Sequence, residues 1–394
     1  MADYPAQFID LMQKQPGPYF FWRSPEGDVL MAAGLRWQSM PGDPKNWRRW
    51  AEGSCDADPE IPVITLSFFH PVEDRSPDWT GFPSAQFYQP QVAVSVREGV
   101  VRRWGTEEAD GEVYLVSPEA EVFSETGLTV RAWDEEGYRE RVEGALLPLR
   151  EGRIDKVVLA RRSRVLLSQS FNPYQALKAM ERQPHAFTVC YSPDGKRFFL
   201  SATPERLGRI SDGRFETMAL AGTLTRQGDR ARQDLLADAK ERAEHTYVVE
   251  MIRSAMESFA TDVAMHDVRV LELPHVTHIL TGISGSMRSG CSMRHVIAAL
   301  HPTPAVAGTP REKAQELIAA LEPFTRGLYA GCIGWFLGER EGDAAVAIRS
   351  ALVNDREALV WAGAGIVRDS DPDAEERETR AKLQTMLDIL GAAS

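Results

Sequence analysis

Apolar residues recur at helical spacing in three segments of the chain, which predicts amphipathic helices there. The last of them, DAEERETRAKLQTMLDIL, comes directly after Asp371 and Pro372, a pair that favours a helix start. The first segment has the apolar face Tyr138, Val142, Ala145 and Leu146, and the second has the apolar face Ala314, Leu317, Ile318 and Leu321. A fourth, longer helix is predicted for QDLLADAKERAEHTYVVEMIRSAMESF.

Shorter apolar segments between these helices predict β-strands. AFTVCYS and RFFLSATPERLGRI flank the turn Pro193-Asp194-Gly195, an arrangement typical of a β-hairpin. The other strands are predicted in KVVLARRSRVLL, RFETMALAGTLTR, GLYAGCIGWFLG, DAAVAIRSALV and ALVWAGAGIV. Strand pairs with short turns, interspersed with long helices, indicate a mixed, largely antiparallel α+β architecture.

The segment HPTPAVAGTPREKA, which starts at His301, begins as neither a regular helix nor a regular strand. Its alternate prolines lack amide donors and push the preceding residues out of the helical region, so we expect a shaped loop. Thr309, Pro310 and Glu312 then match the start of a helix with a capping box. The loop would therefore lead into a helix N-terminus, where anions bind readily.

The composition excludes several functional classes. The 394 residues carry a formal net charge of -12 and the sequence pI is about 5.3, so no overall positive field would attract nucleic acid or anionic lipid. Neither a run of about eighteen apolar residues nor a leader-like segment is present, which predicts a cytoplasmic protein without a membrane partner. The cysteines lack the spacing of a zinc site or redox pair and indicate a reduced compartment. They are Cys55, Cys190, Cys291 and Cys332.

Lys156 and Glu205 could carry chemistry, Lys156 as a base, although each also has a simple structural interpretation. Lys156 begins the strand KVVLAR and would share a face with Val158 and Ala160. A lysine at a strand end usually extends into water, whereas one held on an apolar face is more readily neutral and can act as a base. Glu205 follows a proline at an expected bend between strand segments, where a surface carboxylate is the simpler interpretation.

Three charged residues on two predicted helices suggest either a cation site or ordinary ion pairs. Glu244 shares a helix face with Val248 and Ile252, so its carboxylate is expected at the edge of the core, where it needs a cation or several donors. Glu378 precedes Lys382 by one helical turn, the favourable order for an exposed ion pair. Glu244 and Glu378 together could instead hold Mg²⁺, which takes oxygen ligands and retains waters. The spacing leaves both interpretations open.

Small residues mark two strand ends. LAGT (residues 220–223) and AGAG (residues 362–365) indicate either tight packing or a close approach of backbone amides to a ligand. AGAG lacks the third glycine of a dinucleotide-binding fingerprint, which excludes that motif. Arg349, in the strand VAIRS, is either an anion-binding fork or a strand charge. His278 either contacts a ligand or makes a structural hydrogen bond.

These residues lie in an ordered set of motifs. The sequence contains, in this order, KVVLAR, SATPERL, LAGT, KERAEH, HPTPAVAGTPR, EPFTRGLYAGCIGW, AIRSALV, AGAGIV and ERETRAKL. With this set the chain resembles the chorismate-utilising enzymes, and among them the isochorismate synthases, from about Asp134 to Leu390. The resemblance implies an α+β chorismate-binding fold of two packed, largely antiparallel β-sheets flanked by helices. It also implies an N-terminal variable part of the same body, residues 1–133, and a chorismate-binding catalytic region, residues 134–394.

The reaction that the resemblance implies is the Mg²⁺-dependent isomerisation of chorismate to isochorismate. Water attacks ring carbon 2, the double bonds shift, and the hydroxyl leaves carbon 4. By this resemblance Lys156 is the general base for the water and Glu205 is the general acid for the departing hydroxyl. Glu244 and Glu378 correspond to the magnesium ligands, and the metal would bind and orient the ring carboxylate.

The resemblance also implies a set of substrate-binding residues, which supply cations for the two carboxylates of chorismate, backbone contacts and a wall beside its ring. They are Gly222, Thr223, His278, Ala305, Val306, Arg349, Gly363 and Lys382. The wall belongs to the HPTPAV loop, which in relatives that make anthranilate is closer to PAGTLSG. Those relatives receive ammonia from a glutaminase partner. The loop found here favours water as the nucleophile, so we expect no glutaminase subunit, and we expect a monomer.

Two other functions remain open at this point. A salicylate synthase uses the same lysine and glutamate and then eliminates pyruvate from isochorismate, which the HPTPAV loop disfavours. A non-catalytic chorismate-binding homologue would not need the acid and the base together. Aminodeoxychorismate synthases commonly place a nucleophilic lysine where this chain has Ala221, and an alanine cannot attack. The residues do not distinguish a siderophore pathway from a menaquinone pathway.

Overall fold

Two large β-sheets with helices packed against them form the body of the chain in the computed structural model, which describes residues 2–41, 46–53, 56–70, 76–105, 130–134, 137–224 and 228–391. The described helices are α1 (Tyr4–Lys14), α2 (Trp47–Glu52), α3 (Tyr138–Arg150), α4 (Pro173–Met180), α5 (Asp229–Ala237), α6 (Ala239–Met256), α7 (Met293–Leu300), α8 (Arg311–Leu321) and α9 (Pro372–Ile389). None of them combines the length and the apolar character needed to span a membrane.

The strands run through the whole described chain. They are β1 (Tyr19–Arg23), β2 (Val29–Ala33), β3 (Trp37–Ser39), β4 (Val63–Ser67), β5 (Ala85–Gln89), β6 (Val92–Arg97), β7 (Val100–Trp104), β8 (Val130–Asp134), β9 (Lys156–Leu167), β10 (Thr188–Ser192), β11 (Arg197–Ser201), β12 (Arg206–Ser211), β13 (Arg214–Leu224), β14 (Ala260–Met265), β15 (Arg269–Glu272), β16 (Thr277–Met287), β17 (Gly308–Thr309), β18 (Cys332–Leu337), β19 (Glu341–Val346), β20 (Ser350–Asn354) and β21 (Glu357–Ile366).

The strands pair in two antiparallel sheets. The first sheet has the order β17-β9-β21-β20-β11-β10-β1-β2-β6-β7, with β8 paired to β9. The second sheet has the order β14-β16-β13-β12-β19-β18-β4-β5-β3, with β15 paired to β16. The predicted α+β class with two largely antiparallel sheets is confirmed. Each sheet contains strands from both sides of residue 134, and the division of the chain at residue 133 stays a prediction.

Side chains on the two faces of β1 show how the layers are held together. Phe20 and Trp22 belong to an apolar cluster that joins the two sheets. Phe21 points the other way and belongs to a second cluster with Phe8 of α1 and Leu177 of α4. All five side chains are almost completely buried. Because successive strand residues face opposite sides, one face of the first sheet packs on the second sheet and the other packs on helices.

Many predicted elements are present with nearly the expected bounds. Helices α3 and α9 and strands β9, β13 and β21 are confirmed, and β10 and β11 form the predicted hairpin. The long helix predicted from Gln233 to Phe259 is wrong in one respect, because it is divided into α5 and α6. The Asp238 side chain accepts a hydrogen bond from Glu241 N over 3.1 Å, so it caps a new helix at the point of division.

Two further predictions are wrong because the backbone makes long-range pairs there. DAAVAIRSALV is not one strand, since its two halves belong to β19 in the second sheet and β20 in the first. The capping box at Thr309 does not form. Thr309 pairs with Lys156 as part of β17, and α8 begins after Pro310 without a side-chain cap. Gly308 is required beside it, because a Cβ there would lie 2.2 Å from Lys156 O.

Candidate active site

The chain crosses between the two sheets at two neighbouring places, and the candidate site forms there. It passes from β11 to β12 directly before Arg206, with Glu205 in the connection, and from β19 to β20 through Arg349. Ala202 N donates to Arg349 O over 3.0 Å, and Val346 N donates to Glu205 O over 3.0 Å. The two connections therefore run side by side and place an acid and a cation near each other.

One cavity is lined by most of the predicted site residues. Those that border it are Glu205, Thr223, Glu244, His278, Ala305, Val306, Arg349, Gly363, Glu378 and Lys382. Lys156 and Gly222 do not border it, but each contacts a residue that does. The structure thus brings together residues that are far apart in the sequence, and their roles stay predictions.

Glu205 is a buried acid that titrates near neutrality. It is 5% exposed, and burial raises the pKa of its carboxyl to about 7. The Thr303 hydroxyl, which donates to Glu205 Oε1 over 3.3 Å, and the cations Lys156, Arg349 and Lys382 act in the opposite direction. A carboxyl that is still protonated near pH 7 can serve as a general acid. The surface-carboxylate interpretation is wrong, because the connection that carries Glu205 lies between the sheets.

Lys156 does not extend into water. Its side chain is 5% exposed, and Nζ lies 2.7 Å from Oε1 of Glu244 on α6. The strand-end interpretation fails because β9 is covered at this point by β17 and β21, so the start of the strand is interior. The expected placement of Glu244 at the edge of the core agrees with its 14% side-chain exposure, and its cation is a lysine.

Glu378 and Lys382 form the ion pair that their spacing predicts, but the pair is largely buried. Lys382 Nζ lies 2.5 Å from Glu378 Oε1, and the side chains are 10% and 20% exposed for the lysine and the glutamate. The same ammonium donates to Gly363 O over 2.9 Å. A Cβ at Gly363 would lie 2.8 Å from Tyr329 Oη, so this glycine serves close packing and also presents its carbonyl to the lysine.

A bulge in β13 directs Thr223 toward His278. The bulge is formed by Gly222, whose φ of +78° favours glycine, and it shifts the pairing of β13 with β16. His278 Nδ1 lies 3.0 Å from Thr223 Oγ1 and 3.4 Å from Gly222 O, and Nε2 lies 3.5 Å from Arg349 Nη2. Burial and the neighbouring cations lower the pKa of His278 well below its ordinary value. Because a guanidinium can only donate, the neutral ring accepts at Nε2 and carries its proton on Nδ1.

Arg349 is not part of a strand as predicted. Its φ is +49°, in the left-handed region that is uncommon for residues other than glycine, at the end of the second crossing. The residue is 6% exposed, and burial lowers the pKa of its guanidinium. A buried cation on a strained backbone, directed into a cavity, is typical of a ligand-binding group.

A buried ion pair that we did not predict holds the wall of the cavity. Glu322 and Arg326 are in contact at 2.5 Å and almost fully buried. Arg326 donates to Val306 O over 2.9 Å and to Val158 O over 2.7 Å, and Ala160 N donates to Glu322 over 2.7 Å. The pair therefore ties the HPTPAV loop to β9. Its spacing of four residues gave no signal, because exposed helix pairs have the same spacing.

The cavity also has lining residues that we did not predict as site residues. They are Val158, Leu220, Ala221, Tyr329, Ile348 and Gly365. The motifs LAGT and AGAG contain three of them, so a closer weighing of those motifs would have found Leu220, Ala221 and Gly365. Tyr329 and Ile348 come from the turns beside β18 and β20, and nothing in the sequence marks them as facing a ligand.

Comparisons with known proteins identify relatives of this chain by sequence and by fold. Residues 2–391 match the family described as "Chorismate binding enzyme". The isochorismate synthase MenF of Bacillus subtilis is 32% identical over 96% of this chain and 89% of its own length. The salicylate biosynthesis isochorismate synthase of Pseudomonas aeruginosa is 33% identical over 98% of this chain and 88% of its length. The structure of MenF from Escherichia coli has the same fold, with a TM-score of 0.77 and 24% identity over 98% of this chain and all of that one.

Proposed function

Because this chain belongs to the chorismate-binding enzyme family, we propose that it isomerises chorismate to isochorismate. The observation that carries the proposal is the placement of Glu205, a buried carboxyl with a pKa of about 7, at a cavity that Glu244, the ion-pair partner of Lys156, also borders. Arg349 and Lys382 face that cavity and offer positive charge for a substrate with two carboxylates. The overall acidic chain thus has local cations where an anionic substrate needs them.

In the proposed reaction two residues transfer protons, one at ring carbon 2, where water is added, and the other at ring carbon 4, where the hydroxyl leaves. Lys156 Nζ takes a proton from the water that attacks ring carbon 2, and the double bonds shift. The Glu205 carboxyl gives its proton to the hydroxyl that leaves carbon 4 as water, so the product is an isomer of the substrate. The step uses the neutral amine of Lys156 as the base. Burial between the sheets favours the protonated form of Glu205 that the step requires, against the opposing effect of the Thr303 hydroxyl.

The carboxylates of Glu244 and Glu378 fit the predicted Mg²⁺. They come from α6 and α9 and border the same cavity, and carboxylate oxygens are the ligands that Mg²⁺ takes. No group of three or more His, Cys, Asp or Glu residues suited to a metal occurs among the described residues. Mg²⁺ is usually held by one or two carboxylates together with waters and substrate oxygens. When bound, the metal would neutralise and orient the ring carboxylate.

The proposal includes water as nucleophile, a monomer and no glutaminase subunit. The wall of the cavity at Ala305 and Val306 is the part of the HPTPAV loop that differs from the loop expected in relatives that make anthranilate. Isochorismate from this reaction would supply the synthesis of a siderophore or of menaquinone.

The test is to mix the purified chain with chorismate, with and without Mg²⁺, and to identify the products by chromatography against standards. We expect isochorismate, formed only with the metal, and no aminated product when ammonium is added. Salicylate and pyruvate as the main products would replace the proposal by a salicylate synthase. No product from folded, magnesium-replete protein would replace it by a binding function.

A single methyl group added beside Lys156 should disturb the proposed base. In Gly365→Ala the new Cβ would lie 2.7 Å from Lys156 Cε and 3.2 Å from Glu244 Oε1, so the lysine side chain has to move. We expect the variant to fold and turnover to fall by about 10²-fold, since a displacement of about 1 Å has an effect of that order. The measurement is turnover, with thermal unfolding as a check on the fold. If Gly365→Ala acts by displacing Lys156, the double variant Gly365→Ala/Lys156→Met should have nearly the same turnover as Lys156→Met alone. Fully additive losses in the double variant would contradict this explanation.

A further inference from the structure

Arg206 follows Glu205 directly and makes the largest set of charged contacts at the first crossing between the sheets. Its Nε donates to Asp343 Oδ1 over 3.0 Å, and its Nη2 donates to Asp343 Oδ2 over 3.2 Å. On the other side, Nη1 and Nη2 donate to the two carboxylate oxygens of Glu26 over 3.0 and 2.7 Å. The guanidinium carbon also lies 4.9 Å from the centre of the Phe187 ring. The two carboxylates are thus both held by one planar guanidinium, which fits a carboxylate on each of two edges.

The cavity chemistry described above does not use this cluster. Arg206 does not border the cavity, and successive residues of extended chain point to opposite sides, so Arg206 and Glu205 face away from each other. A guanidinium held on two edges cannot rotate or shift without breaking several charged hydrogen bonds. The peptide between the two residues is therefore held in place, and the Glu205 carboxyl is directed toward the cavity.

One of the two carboxylates comes from the N-terminal part of the chain. Glu26 lies in the turn between β1 and β2 in the first sheet, whereas Arg206 begins β12 and Asp343 lies in β19, both in the second sheet. The contact therefore joins the two sheets next to the crossing at which Glu205 is located.

We propose that Arg206 is a positioning residue for Glu205, held by Asp343 and by Glu26 of the N-terminal turn. The proposal rests on the proposed function for its effect on turnover. Its structural part, that the contact with Glu26 holds the Glu205 carboxyl in its buried position, stands independently.

The same turn offers a matched control. Asp28 accepts from Arg209 over 3.0 Å, and this pair also joins the β1–β2 turn to β12. A bulge between Arg206 and Gly208 places the two arginines on the same side of β12. Asp28 and Glu26 therefore make similar contacts, and Glu26 also lies 3.5 Å from Arg209. Of these two carboxylates it is Glu26 that contacts Arg206, the neighbour of Glu205.

The test compares Glu26→Ala with Asp28→Ala in the full chain. Glu26 is half exposed, so its loss should leave the protein folded, whereas removal of Arg206 would leave buried Asp343 without its partner. For Glu26→Ala we expect kcat for isochorismate formation to fall by about 10-fold with KM for chorismate changed by less than about 2-fold, because substrate binding does not involve this cluster. Glu26→Gln, which keeps an acceptor for the arginine, should restore part of the loss. Asp28→Ala should stay within about 2-fold of the unmodified protein.

A second readout does not depend on turnover. The titration of Glu205 is followed in the carboxyl region of the infrared spectrum, as the difference between each protein and the same protein carrying Glu205→Gln. In Glu26→Ala the Glu205 carboxyl should be held less firmly and become more accessible to water, which weakens the effect of burial on its pKa. The nearby cations Lys156, Arg349 and Lys382 still favour its ionised form, so Glu205 should titrate at lower pH. Asp28→Ala should leave the titration unchanged.

These readouts separate the two proposals. If the unmodified protein forms no isochorismate, the proposed function fails, and the infrared titration still decides whether Glu26 holds Glu205. Equal effects of Glu26→Ala and Asp28→Ala, or an unshifted Glu205 titration in Glu26→Ala, would overturn the positioning role.

Discussion

Replacement of Lys156 by methionine is expected to reduce isochorismate formation by about 10²- to 10⁴-fold, the range usual for loss of a general base. Methionine keeps much of the apolar stem and removes the nitrogen that takes the proton of the attacking water in the proposed reaction. The site around the side chain is almost fully buried, so no solvent group lies ready to replace it. The loss should appear in kcat, measured by chromatography of the product at saturating chorismate.

The variant also leaves Glu244 without the ammonium that it contacts, so stability has to be separated from chemistry. A largely buried carboxylate that loses the ammonium beside it lowers the free energy of unfolding. The double variant Lys156→Met/Glu244→Gln removes both charges and should regain part of the stability without regaining activity. Lys196→Met, at an exposed lysine of the β10–β11 turn, is the control and should behave like the unmodified protein. Near-normal turnover in folded Lys156→Met would remove the base from the proposed mechanism.

Replacement of Glu205 by glutamine is expected to reduce turnover by about 10²- to 10⁴-fold as well, while chorismate still binds. The amide fills the same space and can keep the hydrogen bond with Thr303, but it has no proton to give to the departing hydroxyl. In the unmodified protein the activity that depends on this acid should decline as the pH rises through about 7, the pKa of the buried carboxyl. Turnover of Glu205→Gln within about 10-fold of the unmodified protein, or a pH profile without a step near 7, would contradict the role of the acid.

The same variant should gain stability at alkaline pH. The pKa of Glu205 is raised from 4.5 to about 7 in the folded chain, so below about pH 4.5 both the folded and the unfolded chain hold the proton. Between these values the unfolded chain releases the proton first, and the free energy of unfolding falls as pH rises, by up to about 3 kcal/mol. Glutamine does not titrate. The difference in unfolding free energy between variant and unmodified protein, measured with denaturant at about pH 5 and about pH 8, should therefore increase toward the higher pH.

The sequence predicts the catalytic elements well where a local pattern decides the structure. Helix α9 begins at the predicted Asp371 and Pro372, and its face carries Glu378 and Lys382 to the cavity. Strand β9 has the predicted bounds, and apolar residues at 157–160 and 165–167 enclose the polar positions 161–164 of this largely buried strand. These elements are determined by the periodicity of their own side chains.

Predictions are wrong where pairing between distant segments decides the structure. Arg349 lies in a mostly apolar segment that resembles one strand, and the packing of two sheets shows why the chain must turn there. Lys156 and Glu205 have an interior position for the same reason, because the segments that cover them are far away in the sequence. Asp238 is a different case, since its capping interaction with Glu241 has a recognisable sequence signature that we did not use.

The most direct test of the account is the reaction of the protein with chorismate and Mg²⁺ in water enriched in ¹⁸O, followed by mass spectrometry of the isochorismate formed. The account predicts one ¹⁸O atom in the product, located at the hydroxyl of ring carbon 2, with none exchanged into recovered chorismate beyond what the reverse reaction introduces. Isochorismate without label would contradict the attack of water at carbon 2, and with it the roles assigned to Lys156 and Glu205.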